Sequence, residues 1–288
     1  MLRAAAKVNL ALEILRRRDD GYHEIVTVMQ AIDLTDRLVL EEHDSVELES
    51  LSPDVPTDGT NLAVRAAVAL RDAAGTKRGV RVRLDKRIPV AAGLGGGSTD
   101  AAAVLIGLNR LWGLRWPGDR LAAVAETLGM DVPFFLRGGT ALATGRGERL
   151  TPVRGGSLAL VLVNPKIGVS AAEAYGRVQP TMYSDGARAR TMVAALATRR
   201  PIRAAAALYN TLEAPVGRTV PQVQQMKAAL MAAGALGAVM SGSGPTVFGV
   251  ARSFEHARQI RARLTRVSWA CWAVRTVGGP AVRVERRR

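Results

Sequence analysis

The chain has a single cysteine, Cys271, among 288 residues. No intrachain disulfide is therefore possible. The three histidines, His23, His43 and His256, are scattered, so no zinc-ligand spacing is present. Cys271 lies in Trp269-Ala-Cys-Trp-Ala-Val274 and is expected to be a small core residue. Aromatic residues make up only 4% of the chain, which argues against the stacking platforms of a single-strand nucleic-acid binder. No apolar run reaches about 18 residues, so no membrane-spanning helix is expected. The first residues, Met1 to Asn9, contain no signal-peptide core, and the expected location is cytoplasmic. Lysine is scarce as well: five lysines stand against 35 arginines, within a net charge of +15. The arginines are spread along the chain rather than gathered into a patch, so no nucleic-acid partner is expected. Such a charge still attracts small anionic substrates. The closing arginines 286–288 are expected to be solvated.

What is present is a long, 48% hydrophobic sequence able to bury a large core, with two domains expected. Its most distinctive stretch is Pro89-Val-Ala-Ala-Gly-Leu-Gly-Gly-Gly-Ser-Thr-Asp100. Four glycines fall in five positions, and a strong helix former, Ala101 to Trp112, follows. Glycine lets a backbone approach a ligand closely and adopt positive φ. Ser98, Thr99 and Asp100 are expected to cap the first helical turn. The remaining free N–H groups and the helix dipole favour an anion, for which a polyphosphate is the natural guest. The stretch is not a P-loop, because no lysine lies in it. Gly93, Gly95 and Ser98 fall at the G-x-G-x-x-G spacing. A dinucleotide fingerprint, however, opens the first βαβ unit, and here about 85 residues come first. The plain alternative is a linker or a simple helix cap.

Along the chain, Val8, Leu10, Leu12 and Ile14 alternate with Lys7, Asn9, Ala11 and Glu13, which predicts a strand over residues 3–17 with Lys7 and Asn9 on one face. A solvated strand face is the plain reading of that pair. A polar turn precedes a second strand over residues 22–34, with Tyr22 and His23 at its mouth. Residues 36–51 read as a hairpin turning at His43 to Ser45. Thr60 and Asn61 cap a helix, Gly79–Asp85 is a strand, and a helix runs from about Asp119 to Leu128. Asp131 then stands before the bend at Pro133, where the plain reading is a cap. A hairpin turns around Gly145-Arg-Gly147. From about residue 155 the character changes: a buried strand ending at Val163, a helix carrying an exposed-looking Tyr175, Ala- and Arg-rich helices over residues 186–214, and a helix closed by Gly234. A strand ending at Met240, a second glycine loop, Ser241-Gly-Ser-Gly-Pro245, and another strand follow. Ser253 caps a helix to about Arg266, and Trp269–Val277 is the last clear strand. No period of 20–50 residues repeats, which excludes a solenoid.

Three segments resemble, in order and spacing, the three motifs of the GHMP kinase superfamily: Ala6-Lys-Val-Asn-Leu10, residues 89–102, and Val239-Met-Ser-Gly-Ser-Gly-Pro-Thr-Val-Phe-Gly249. Asp20-Gly-Tyr-His23, the triple glycine before Ser98, and Gly129-Met-Asp-Val-Pro-Phe-Phe135 narrow the resemblance. They are similar to the branch that phosphorylates the 2-hydroxyl of a cytidine diphosphate-linked methylerythritol on the non-mevalonate route to isoprenoids. The resemblance covers nearly the whole chain. It implies an α+β fold of two domains: residues 1–154, like ribosomal protein S5 domain 2, and residues 155–288, a ferredoxin-like α+β domain, with the active site in the cleft between them. Two alternatives stay open: another small-molecule kinase of the superfamily, of the homoserine or mevalonate type, and an S5-like RNA-binding module.

For the site, the resemblance implies ATP and Mg²⁺ as cofactors and one small-molecule substrate, in a monomer or homodimer. Pro89, Val90, Ala91, Ala92, Gly93, Leu94, Gly95, Gly96, Gly97, Ser98 and Thr99 would hold the ATP phosphates, with Gly95 to Ser98 supplying most donors. Asn61 and Lys86 would face the adenine nucleotide. Ser98 would be a Mg²⁺ ligand, with no second carboxylate identifiable. Asp131 would be the general base. Lys7, between it and the phosphoryl group, would keep that carboxylate ionised and screen the developing charge. Asn9 would hold the substrate. Tyr22, His23 and Tyr175 would form the cytidine pocket, the rings stacking on the base and His23 reading its polar edge. Gly242, Ser243 and Gly244 would line the cleft near the substrate. One departure is Ala171, where the family often carries threonine; a substrate hydrogen bond is then missing or comes from Ser170.

Overall fold

Strand β1 (Leu2–Arg17) pairs antiparallel with β2 (His23–His43), Lys7 opposite Ala31 and Asn9 opposite Met29. The computed structural model describes residues 1–264 and 268–285. The arginines at 286–288 and the expected helix end at Arg266 lie outside the described residues. Val8, Leu10, Leu12 and Ile14 are buried, as their alternation predicts. The other face is not solvated: Lys7 is 4% exposed and Asn9 1%. The reason is position, because β1 is an interior strand that contributes residues to all three hydrophobic clusters of the molecule. Irregularities at Ala5/Ala6, Asn9/Ala11 and Ile14/Arg16 interrupt its register and re-aim its side chains.

The expected hairpin over residues 36–51 is not formed. The chain continues straight through β2 to His43. The next strand, β3 (Val46–Ser50), does not pair with it. Helix α1 (Leu62–Ala73) follows, and β4 (Gly79–Asp85) then inserts between β2 and β3, antiparallel to the first and parallel to the second. Burial explains the swap. Val80, Val82 and Leu84 are all buried and suit a central strand, whereas β3 buries only Leu48 and suits an edge. The link between β2 and β3 passes over Gly79, where a Cβ would run into the carbonyl oxygens of His43 and Ser45.

Next come α2 (Gly96–Leu111), α3 (Gly118–Leu128), α4 (Val132–Arg137), β5 (Thr140–Gly145) and β6 (Arg149–Pro152). Helices α1 and α2 cover one face of the sheet; Ala63, Ala66, Ala67 and Leu70 meet Ala101, Ala102, Val104, Leu105 and Leu108 in one core. Hairpin β5–β6 forms as its sequence predicts and pairs with β2. The second half contains β7 (Ala159–Asn164), α5 (Ala171–Gly176), α6 (Ala187–Ala197), α7 (Pro201–Ala206), β8 (Tyr209–Asn210), α8 (Glu213–Gly217), α9 (Gln222–Ala232), β9 (Ala238–Met240), β10 (Val247–Ala251), α10 (Phe254–Arg263), β11 (Ala270–Arg275) and β12 (Val282–Val284). Its sheet has the order β11-β7-β10-β9, and β7, α9, β9, β10, α10 and β11 form a split βαβ arrangement, the expected ferredoxin-like pattern. Two pieces were not legible in the sequence. Strand β8 interrupts the Ala- and Arg-rich helices and runs parallel to β1. Strand β12 returns to pair with the same edge of β1, the one β2 leaves free. The two halves thus share the strand that carries Lys7, and residues 275–277 bond to β2 beside it. Among the described residues no helix is long and apolar enough to cross a membrane.

Candidate active site

The glycine stretch becomes a loop that ends in the first turn of α2. Gly95 is the N-cap residue, at φ 71°, and no side chain caps the helix. The expected capping by Ser98, Thr99 and Asp100 is therefore replaced. These residues lie inside the helix, Thr99 and Asp100 buried and Ser98 facing a cavity. The amide of Thr99 already donates to the Gly95 carbonyl at 2.9 Å. The amides of Gly96, Gly97 and Ser98 are the helix's first three, which no intrahelical carbonyl can reach. They face outward as an anion site at the positive helix end. Gly95 has no room for a side chain: a Cβ would lie 2.6 Å from the Phe135 ring and 3.2 Å from Lys7 Cγ. Phe134 and Phe135 are fully buried beneath it, each worth about 1.5–3 kcal/mol of burial.

Lys7 comes in from β1, whose backbone is fixed to the same loop by a 2.9 Å bond from the Lys7 amide to the Leu94 carbonyl. Its ammonium donates to Asn9 Oδ1 at 2.6 Å and lies 3.3 Å from Asp131 Oδ2. Asn9 Nδ2 donates in turn to Thr27 Oγ1 at 2.8 Å, and Thr27 donates to the Ala11 carbonyl at 2.7 Å. Asp131 is the N-cap residue of α4, but its side chain makes no cap bond. It is turned towards Lys7, so the cap reading fails. The second glycine loop buttresses this arrangement. Ser241 Oγ donates to the Gly93 carbonyl at 2.9 Å and accepts from the Asn9 amide at 3.3 Å. Asn210 holds that loop through 2.8 Å bonds to the carbonyls of Met240 and Gly242. Gly93, at φ 74°, packs so closely that a Cβ would strike the Ser241 carbonyl oxygen.

All of this opens into one cavity of about 1090 Å³. Lys7, Asn9, Tyr22, His23, Asn61, Lys86, Pro89, Val90, Ala91, Ala92, Gly93, Gly95, Gly96, Gly97, Ser98, Asp131 and Tyr175 all line it, with Gly242 and Ser243. Leu94 and Thr99 do not. Both side chains are buried; the amide of Thr99 is engaged and its unpartnered hydroxyl is enclosed. Gly244 is also absent from the lining.

Two of the lining residues are also bonded within the protein. Asn61 Oδ1 accepts from the Ala63 amide at 2.8 Å and its Nδ2 donates to the Pro56 carbonyl at 2.7 Å, so its amide group serves the start of α1. Lys86 donates to Asp36 Oδ2 at 2.5 Å and Asp100 Oδ2 at 2.7 Å. Burial opposes that ammonium, but Asp100 and Asp36 outweigh it and hold Lys86 above its ordinary value. Burial pushes the Asp100 carboxyl up to about 8; Lys86 pulls it down, and Asp36 adds to the rise. Asp36 accepts three hydrogen bonds, whereas Asp100 Oδ1 has no partner. Asp100 is therefore the less fully bonded of the two carboxyls.

At the far end, His23 stacks on Tyr175 with ring centroids 5.7 Å apart and meets Tyr183 edge-on at 6.4 Å. Tyr175 is half-buried rather than exposed. Burial and then nearby Asp131 push its phenol upward, so it stays neutral. Burial and then Arg17 hold the His23 imidazole below its ordinary value of 6.5. The Tyr22 amide donates to Asp20 Oδ1 at 3.1 Å, fixing the turn. Arg17, Asp20 and Arg146 also line the cavity and were missed. Arg146, between Gly145 and Gly147, read only as a hairpin turn, although two glycines flanking a lone cation were a usable signal. Its guanidinium carbon lies 5.2 Å from the Tyr22 ring centre. Ala171 lines the same cavity.

The donor set fits Mg²⁺ only in part. Among the described residues no three His, Cys, Asp or Glu side chains gather as ligands. The free oxygen of Asp100 is enclosed, whereas Ser98 and Asp131 line the cavity with oxygen donors of the kind Mg²⁺ takes.

The family descriptions that match are the GHMP kinases N terminal domain, over residues 61–139, and the GHMP kinases C terminal domain, over residues 192–268. A 4-diphosphocytidyl-2-C-methyl-D-erythritol kinase of Pelotomaculum thermopropionicum is 48% identical over 95% of this chain and 96% of its own. The protein of that name from Gloeobacter violaceus is 47% identical over 91% of this chain and 89% of its own. A crystal structure of 4-(cytidine 5'-diphospho)-2C-methyl-D-erythritol kinase superposes with a TM-score of 0.82 at 40% identity, over 97% of this chain and 100% of the other. A homoserine kinase from Cytophaga hutchinsonii, at 20% identity and a TM-score of 0.77, shares the fold. The chain thus has the GHMP kinase fold and belongs to the 4-diphosphocytidyl-2-C-methyl-D-erythritol kinase family.

Proposed function

We propose that this chain transfers the terminal phosphoryl group of ATP to the 2-hydroxyl of a cytidine diphosphate-linked methylerythritol. One observation carries the reading: Lys7 and Asp131 meet at 3.3 Å in the same cavity as the free amides of Gly96, Gly97 and Ser98. Phosphoryl transfer asks for placement and charge neutralisation rather than covalent chemistry, and these are the groups for it. The amides hold the phosphates. Asp131 accepts the proton of the attacking hydroxyl. Lys7 neutralises the charge that develops on the phosphoryl oxygens. Asn9 fixes Lys7 and binds the substrate beside it. Ser98 would help to hold Mg²⁺, which would supply further electrostatic neutralisation there.

In this reading residues 1–154 are the nucleotide half. Residues 155–288 supply Tyr175 and the Ser241–Pro245 turn. The cytosine stacks on Tyr22 and Tyr175, and neutral His23 reads its polar edge. At 5.7 Å a base does not fit between His23 and Tyr175, since two ring contacts need about 7 Å; the base takes another face or displaces Tyr175. The location is cytoplasmic, and the species is a monomer or homodimer. A panel of alcohols assayed with ATP and Mg²⁺ tests the reading. The cytidine-linked substrate should be preferred over homoserine and mevalonate by several orders of magnitude in kcat/KM. Preference for either of those alcohols would end the specific proposal.

A further inference from the structure

Lys86, Asp36 and Asp100 form a buried ion cluster directly behind the glycine loop, and none of them is needed for the chemistry just described. Each comes from a different element. Lys86 follows β4, Asp36 lies in β2, and Asp100 lies in the first turns of α2. Their bonds join the two ends of the loop. Asp36 Oδ1 accepts from the amides of Arg87 at 2.6 Å and Ile88 at 2.8 Å, which fixes the segment entering the loop. Asp36 Oδ2 accepts from the Lys86 ammonium, which also donates to Asp100 on the helix that leaves the loop. The ammonium lies against the loop's exit, 2.8 Å from where a Gly96 Cβ would be.

A cluster of this kind is poor material for stability. Removing charges from water costs more than their attraction returns unless every hydrogen bond is made, and apolar replacements are often as stable. Here one carboxyl oxygen, Asp100 Oδ1, has no partner at all. Two carboxyls on one ammonium would also leave a net negative charge behind an anion site if both were ionised. What the arrangement does supply is a fixed distance between the entry and the exit of the loop.

We infer that Lys86 and Asp100 are positioning residues for the triphosphate: through Asp36 they set the span of the loop at residues 89–98, so that the amides of Gly96, Gly97 and Ser98 converge on one phosphate group. This inference rests on the loop's being the ATP-phosphate site. Asp100 acts here through the oxygen that accepts from Lys86 at 2.7 Å, an acceptor that asparagine keeps. Asparagine is then a faithful replacement and leucine is not.

The test is calorimetric titration of ATP, ADP and adenosine into the wild-type chain and the Asp100→Leu and Asp100→Asn variants, with CDP as a control ligand. Asp100→Leu keeps a one-to-one pair of Lys86 with Asp36. It should lose about tenfold in ATP affinity, less in ADP affinity, and under twofold for adenosine and CDP. Asp100→Asn should remain within about twofold of wild type for all four ligands. If Asp100→Leu does not fold, the double variant Lys86→Met/Asp100→Asn replaces it. There Asp36 keeps its two backbone donors, and the same loss, graded with the number of phosphates, is expected. Equal losses for adenosine and ATP, no loss in either variant, or failure of asparagine to restore ATP affinity would each overturn the inference. A wild-type chain that binds no ATP would instead remove the proposed function beneath it.

Discussion

At the phosphate end of the cavity, Lys7 and Asn9 are enclosed and bonded to each other, and Thr27 and Ser241 beside them are tied to backbone carbonyls. At the aromatic end, Tyr22 is 51% exposed, and His23 and Tyr175 pack on each other without a hydrogen bond between them. The first end is fixed before any ligand arrives, which is what electrostatic stabilisation of a transition state needs, because fixed donors require no reorganisation. The second end is a set of rings from a turn, the start of β2 and helix α5, which is left to adapt to a base. The difference separates two kinds of residue. Substitutions at the enclosed end should change kcat, and substitutions at the aromatic end should change KM for one substrate only.

The strongest way to break that division is Lys7→Met. It removes the cation facing Asp131 and should lower kcat by about 10²–10³-fold, since single stabilising donors in such sites are worth that much. Steady-state kinetics with both substrates checks it; a change confined to KM would place Lys7 with the binding residues. Next is Tyr175→Ala. Base–aromatic stacking is worth about 1–3 kcal/mol per base, so KM for the cytidine substrate should rise about ten- to a hundredfold while KM for ATP stays within twofold. Equal rises for both would erase the boundary between the two ends.

Gly93→Ala sharpens the comparison from the structural side. Its φ of 74° and the Ser241 carbonyl leave no place for a methyl group. Strain of about 1–2 kcal/mol, with overpacking of about 1–3 kcal/mol, should appear in denaturant unfolding and also weaken ATP binding. A variant as stable as wild type would mean that the two glycine loops are not docked.

The imidazole of His23 gives a pH signature. Its folded value lies below the unfolded one, so its contribution to stability is complete above about pH 6.5 and is lost as the pH falls. Binding follows the same sign: KM for the cytidine substrate should rise severalfold between pH 7 and pH 5, and His23→Asn should flatten the curve. The smallest effect is expected from Ala171→Thr, which adds a hydroxyl to the cavity wall. One neutral hydrogen bond is worth about 0.5–1.5 kcal/mol, so KM for that substrate should fall a few-fold; a rise would mean the methyl group obstructs instead.

The phosphate end was also the more legible in the sequence. A run of glycines ahead of a helix has one main physical use, so the loop and its anion site could be read from residue types alone. Lys7, Asn9 and Asp131 could not be joined by spacing, because β1 and α4 meet only in three dimensions; the resemblance joined them. Alternation placed Lys7 and Asn9 correctly on one strand face but could not show that the two glycine loops and Asp131 close over that face. Strand β4 entered between β2 and β3 because pairing partners follow burial, and a short turn such as His43 to Ser45 looks the same in either topology. Asp100 and Lys86 were hidden for another reason. Each had a ready local reading, as a cap and as a nucleotide contact, and Asp36, which joins Lys86 in the cluster, lies 50 residues before it.

The most direct measurement is single-turnover phosphorylation of the cytidine-linked substrate by Asp131→Asn, with ATP affinity measured on the same protein. The expected result is a rate at least about a hundredfold below wild type with ATP affinity unchanged within about twofold. A near-normal rate would remove Asp131 from proton transfer, and with it the claim that this cavity joins a phosphate-gripping loop to a base.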